Sequence, residues 1–113
     1  MTSGVKTIVH PVKDLDAAKA LYGALLGVEP SMDAAYYVQF DVGGQEVGLD
    51  PNGAAKGLTA PLNYWHVDDI RARIEAVVAA GGEIREDVHD VGGRLIATVA
   101  DADGNALGLL QQL

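Results

Sequence analysis

The 113-residue chain contains no cysteine. Disulfides, thiolate metal sites and cysteine nucleophiles are therefore excluded outright. It also lacks any apolar run approaching the roughly 18 residues of a membrane span. The opening Met1-Thr2-Ser3-Gly4 has no basic region followed by an apolar stretch, so no secretory signal is read there and a cytoplasmic protein is expected. Basic residues are scarce: 8 Lys and Arg against 16 Asp and Glu, a formal net charge of −8. A surface this acidic repels phosphate backbones, and the few cations are scattered, so no nucleic-acid partner is expected. The acidity reads as solubility. There is no nucleophile elbow, Walker loop or dinucleotide fingerprint. The Gly-Gly pairs at 43–44, 81–82 and 92–93 fall at turns and helix ends, where positive φ is needed.

What is present is a globular composition, 49% hydrophobic, at a length that supports one ordinary domain. Val5 to Val12 is apolar and β-rich, a strand by composition. Asp14 then stands where an N-cap belongs. Leu15, Ala18, Leu21, Tyr22, Leu25 and Leu26 follow at helical spacing, and Gly27 closes the run. Tyr36 to Val42 and Gln45 to Asp50 read as strands joined by the Gly43-Gly44 turn. Residues 51–61, punctuated by Gly, Ala and Pro, read as a connection.

The pattern then starts again. Leu62 to Val67 is a strand, Asp68 and Asp69 are capping candidates, and Ile70, Ile74, Val77 and Val78 make a helical face ended by Gly81-Gly82. Glu83 to Asp90 is a weak strand and Arg94 to Ala100 a clear one. Asp103-Gly104-Asn105 is a hairpin turn into a last strand, Ala106 to Gln112. Asp101-Ala102-Asp103-Gly104 lacks the spacing and terminal Glu of a calcium loop and is read as part of that turn. Val12-Lys13-Asp14-Leu15 matches Val67-Asp68-Asp69-Ile70, and Gly48-Leu49 answers Gly108-Leu109. This is an internal repeat of roughly 55 residues, two modules that fold as one unit.

The duplicated module, the phrase VKDLDAAKALYGALLG and the closing DADGNALGLLQ resemble the vicinal oxygen chelate superfamily. That group includes glyoxalase I, extradiol dioxygenases, fosfomycin-resistance enzymes and bleomycin-binding proteins. The resemblance covers essentially the whole chain. It implies an α+β fold, two tandem βαβββ modules forming a curved mixed sheet around a cavity. Residues 1–113 make a single domain, module one about 5–50 and module two about 62–112. It also implies a homodimer, and a fold that hosts several chemistries as well as pure binders.

In the superfamily's enzymes one metal sits in the cavity. By resemblance, the first ligand of each module falls seven residues before the Asp that caps its helix, here Thr7 and Leu62. The others lie immediately before Leu49 and Leu109, here Gly48 and Gly108. Thr, Gly, Leu and Gly are a poor donor set for a divalent ion. No metal and no cofactor are expected. His10 and His66 do not rebuild a site: aligned modules match His10 with Trp65 and His66 with Pro11, and a one-residue offset in a strand flips the side chain. His89, beside Asp87 and Asp90, reads as a solvated surface group.

Alternation puts Val5, Thr7 and Val9 on one face of the first strand and Leu62, Tyr64 and His66 on the corresponding face of the fifth. By resemblance that face looks into the cavity. Tyr36, Tyr37 and Gln39 are further ligand contacts, and Arg94 supplies a charge at the rim. Gly48 and Gly108 either widen the pocket floor or let the sheet curl and pack tightly. Phe40 and Trp65 are expected in the helix-to-sheet core, and His66, next to Asp68, is as readily a satisfied structural histidine. The resulting expectation is metal-free binding of a small aromatic or heterocyclic molecule, with no membrane partner and no catalytic residues. The alternative is a metal-dependent glyoxalase-like lyase, isomerase or dioxygenase with other ligands, such as His10, His66, Glu46 or Asp50. A third reading is a degenerate member serving only as a dimerisation or accessory domain.

Overall fold

Helices α1 (Leu15–Leu26) and α2 (Ile70–Ala79) begin in the same way in the computed structural model, which describes residues 2–113. The Asp14 carboxylate accepts from the Ala17 backbone N–H at 3.0 Å, and the Asp69 carboxylate from that of Ala72 at 3.1 Å. Each satisfies one of the amides that a helix start leaves without a partner. They end differently. Gly27 adopts the left-handed conformation at φ 72° and donates to the Gly23 carbonyl, while α2 runs out through Ala80 before Gly81 turns at φ 105°.

Eight strands complete the elements: β1 (Thr2–Pro11), β2 (Met32–Ala34), β3 (Tyr37–Val42), β4 (Gln45–Asp50), β5 (Leu62–Val67), β6 (Glu83–Asp90), β7 (Arg94–Ala100) and β8 (Ala106–Gln112). One turn of 3-10 helix, Ala54–Lys56, lies in the connection between the modules. The chain divides into two compact units, residues 6–62 and the start of β1 together with residues 63–113. Each holds a mixed sheet with one helix, the α+β make-up of two βαβββ modules.

In the first module the strand order is β2-β3-β4-β1, with β1 and β4 parallel and the other pairs antiparallel. Val38 pairs with Leu49 and Phe40 with Val47. These side chains share one face, and α1 covers it with Leu15, Ala18, Tyr22 and Leu26. Val38, Phe40 and Leu49 are fully buried there. In the second module the order is β5-β8-β7-β6, with β5 and β8 parallel. Its core is aliphatic: Val67, Ile70, Ile74, Ala97, Val99 and Leu109. Gln111 ties α2 to β8, its Oε1 accepting from the Ile70 N–H at 2.9 Å.

Four sequence expectations change. The first module's missing strand is β2, three residues held by pairing Met32 with Gln39 and Ala34 with Tyr37. Tyr36 precedes β3 in a turn and is 64% exposed. The half-buried stripe of α1 is narrower than its apolar pattern, because Leu21 and Leu25 point to solvent at 62% and 72% exposure. Trp65 shares the strand face of Leu109, yet it is 39% exposed rather than in the core. Among the described residues no helix is long and apolar enough to cross a membrane.

Candidate functional site

Strand pairing decides which side chains share the face turned away from each helix. In the first module Thr7 pairs with Glu46, and Glu46 with Asp41. Val9 pairs with Gly48, and Gly48 with Gln39. Alternation adds Tyr37 to the same face, opposite to Val38 and Phe40. Thr7, Val9, Tyr37, Gln39 and Gly48 are thus brought onto one surface, and Tyr36 is not.

Two details of this surface matter. The Thr7 hydroxyl, 2% exposed, donates to Glu46 Oε1 at 2.7 Å. Gln39 Nε2 donates to Asp41 Oδ1 at 2.9 Å. The surface is therefore acidic and hydrogen-bonded, a property that becomes legible only once Glu46 is paired with Thr7.

Gly48 is buried, but it does not widen a floor. A Cβ built there would run into the Tyr37 hydroxyl and lie 2.6 Å from Tyr37 Cζ. The tyrosine fills the room that a side chain at position 48 would use.

The second module repeats the arrangement with different parts. Tyr64 pairs with Gly108, and Gly108 with Thr98; His66 pairs with Leu110. A Cβ on Gly108 would lie 2.6 Å from Tyr64 Cδ1, 2.8 Å from Cγ and 2.9 Å from the Asn63 carbonyl oxygen. Here the ring body, not its hydroxyl, takes the space. Leu62 is 4% exposed, and Tyr64 and His66 are half-buried. Arg94 pairs with Gln112, whose amide oxygen, turned toward the guanidinium, accepts from Nε at 2.9 Å and Nη2 at 2.7 Å.

Other candidate chelating side chains lie elsewhere. His10 lies on the helix side of its strand, its ring centroid 5.1 Å from that of Tyr22. Asp50 is 5% exposed, accepts from the Asn52 N–H at 2.8 Å and pairs with Lys56 at 2.9 Å. It is a turn and ion-pair residue. His89 Nε2 stands 3.3 Å from Glu86 on an exposed strand. A separate groove of about 490 Å³ opens beside α1, crossed by the Lys19–Asp33 ion pair at 3.2 Å. None of the site residues named from the sequence lines it.

The sequence pattern of the glyoxalase/bleomycin resistance protein/dioxygenase superfamily matches residues 4–109. The chain belongs to this superfamily. Solved structures of the fold agree. A glyoxalase/bleomycin resistance protein/dioxygenase superfamily member from Vibrio splendidus 12B01 superimposes with a TM-score of 0.73 at 17% identity, covering 100% of both chains. Methylmalonyl-CoA epimerase from Mycobacterium tuberculosis gives 0.71 at 19% identity, over 99% of this chain and 89% of its own. The Mn(II)-bound glyoxalase from Novosphingobium aromaticivorans gives 0.69 at 21% identity, over 97% of this chain and 39% of its own. At such identities the likeness is one of fold. No match was found among the curated proteins.

The four positions that the resemblance likens to metal ligands do not fit a metal in this chain. Thr7 is hydrogen-bonded to Glu46, Leu62 has no donor atom, and Gly48 and Gly108 have no side chain and no room for one. Among the described residues, no three of His, Asp and Glu cluster closely enough to hold an ion.

Proposed function

We propose that this superfamily member binds a small aromatic or heterocyclic organic molecule without a metal. Each module offers its own candidate contact face: Thr7, Val9, Tyr37, Gln39 and Gly48 in the first, and Leu62, Tyr64, His66, Arg94 and Gly108 in the second. The observation that carries this reading is the donor set: in each module the chelate positions hold a glycine under a tyrosine and a residue unable or unavailable to coordinate. Aromatic rings, apolar walls and a few oriented polar groups suit a flat organic ligand. Binding needs no catalytic residue, and none is assigned. The same reading makes the protein a homodimer, which sedimentation at micromolar concentration checks.

The test is a thermal-shift screen of planar aromatic and heterocyclic compounds, each run with and without a chelator. A compound at 100 times its dissociation constant adds about 2.7 kcal/mol of stability, a rise in melting temperature of roughly 10 °C. Shifts unchanged by the chelator support the reading. No shift across the panel, or shifts that vanish with the chelator, overturn it.

A further inference from the structure

In the first module Tyr37 reaches Gly48 diagonally, from a residue two positions before its direct partner Gln39. In the second, Tyr64 is the direct partner of Gly108. The strand position equivalent to Tyr64 in the first module is Val9, and the position equivalent to Tyr37 in the second is Ile96. The two modules thus reach one outcome, a buried glycine under a tyrosine ring, from different strands. Glycine inside a strand leaves a gap in the sheet surface, and an aromatic neighbour can cover it.

We infer that Tyr37 and Tyr64 are specificity-determining residues: each closes its module's chelate position, to a metal-binding side chain and to any ligand atom. The position is shut by the ring, not left open by loss of a side chain. This deepens the binding reading and rests on it for the ligand consequence only; the closure itself is a property of the free protein. Glycine and tyrosine are coupled in each pair, and the coupling differs in kind. At Gly48 the hydroxyl makes the closest approach, with Cζ next at 2.6 Å, so Tyr37→Phe frees part of the room. At Gly108 the obstructing atoms are Cδ1 and Cγ, so Tyr64→Phe frees none.

The experiment is a double-mutant cycle on the full chain without ligand, combining Gly48→Ala with Tyr37→Ala or Tyr37→Phe, and Gly108→Ala with Tyr64→Ala or Tyr64→Phe. Alanine adds only the Cβ, which keeps the variants foldable. In the native background each glycine substitution lowers the melting temperature by roughly 5–15 °C, as overpacking does. Behind Tyr37→Ala the Gly48→Ala loss shrinks to less than half, and behind Tyr37→Phe it shrinks in part. At position 108 the Asn63 carbonyl also crowds the Cβ, so Tyr64→Ala relieves only part of the loss, and Tyr64→Phe relieves none. A second readout applies a size ladder of indole, naphthalene and phenanthridine to the native protein and the tyrosine-to-alanine variants. A gain of thermal shift for a larger member in the variants supports closure against ligands. Equal glycine losses in every background overturn the inference, whatever the ladder shows. Native binding of the ladder with an unchanged size preference in the variants overturns the specificity role. A native protein that binds no member counts against the binding reading, while the cycle still decides closure.

Discussion

The two modules close the same position with the same residue type, but the first brings its tyrosine from β3 and the second from β5. A repeat that kept one arrangement through duplication would carry the ring on equivalent strands. In this chain either neighbouring strand supplies the ring over the glycine. The rest of each face diverges as well. Thr7 and Glu46 make the first module's face polar, whereas the equivalent positions in the second are Leu62 and Ala106. The cores beneath differ too: the first holds a phenylalanine beside Val38 and Leu49, while six aliphatic residues share the second.

The core contrast gives the largest expected effect. Phe40→Ala removes a ring with no exposure and should cost about 3–5 kcal/mol by urea denaturation, whereas Ile74→Val, which trims one methyl group from the shared aliphatic core, should cost only about 0.5–1.5 kcal/mol. Equal losses would break the expectation that the fully buried Phe40 ring contributes more to its core than one methyl group of Ile74 does to the other. The helix ends come next. Gly82→Ala puts a Cβ 2.5 Å from Val77 Cγ1 and 2.9 Å from the Ala100 carbonyl oxygen, so overpacking of about 1–3 kcal/mol is expected. Gly27→Ala meets no atom within 4 Å and bears only the left-handed backbone penalty, about 1–2 kcal/mol. A larger loss at Gly27 in thermal melts would reverse the order.

Thr7→Val should cost about 1 kcal/mol, the loss of one hydrogen bond to a carboxylate that water still reaches. Leu62→Thr at the equivalent position should gain no such bond, since Ala106 stands where the first module has Glu46. Rescue of stability by Leu62→Thr would show a polar partner that the pairing does not provide.

The smallest effect separates the hairpins. The Asp101 carboxylate accepts from the Asn105 side chain and from the backbone N–H groups of Asn105 and Asp103, which holds its pKa below the ordinary carboxylate value. The first module's turn, Gly43-Gly44, has no such acceptor at its centre. A depressed folded pKa contributes stability above the unfolded value near 3.9, and that contribution is lost as pH falls through the lower folded value. Carboxyl NMR titration should therefore find Asp101 protonating below the ordinary Asp value on acidification. An Asp101 midpoint at the ordinary Asp value would remove the hairpin's distinction.

Much of this fold was legible because its boundaries are local chemistry. Asp14, Gly27 and Asp69 mark helix ends within a turn of sequence, and Gly43-Gly44, Gly92-Gly93 and Asp103-Gly104-Asn105 mark hairpins. β6, β7 and β8 match their expected bounds for that reason. β2 escaped because three residues carry no periodicity, and only pairing with β3 defines them. Trp65 escaped because the strand face it occupies follows from alternation, while its cover depends on what α2 brings to it. That Thr7, Gly48, Leu62 and Gly108 form a poor donor set was visible from their residue types. What fills the space above the glycines was not, since a diagonal neighbour such as Tyr37 is known only once the strand register is known.

The most direct test of the account is elemental analysis of the purified protein after incubation with zinc, nickel, manganese and iron(II), followed by desalting. The account predicts metal near zero per chain for all four ions, because Thr7, Gly48, Leu62 and Gly108 offer no coordinating set. Retention of about one metal per chain would contradict it.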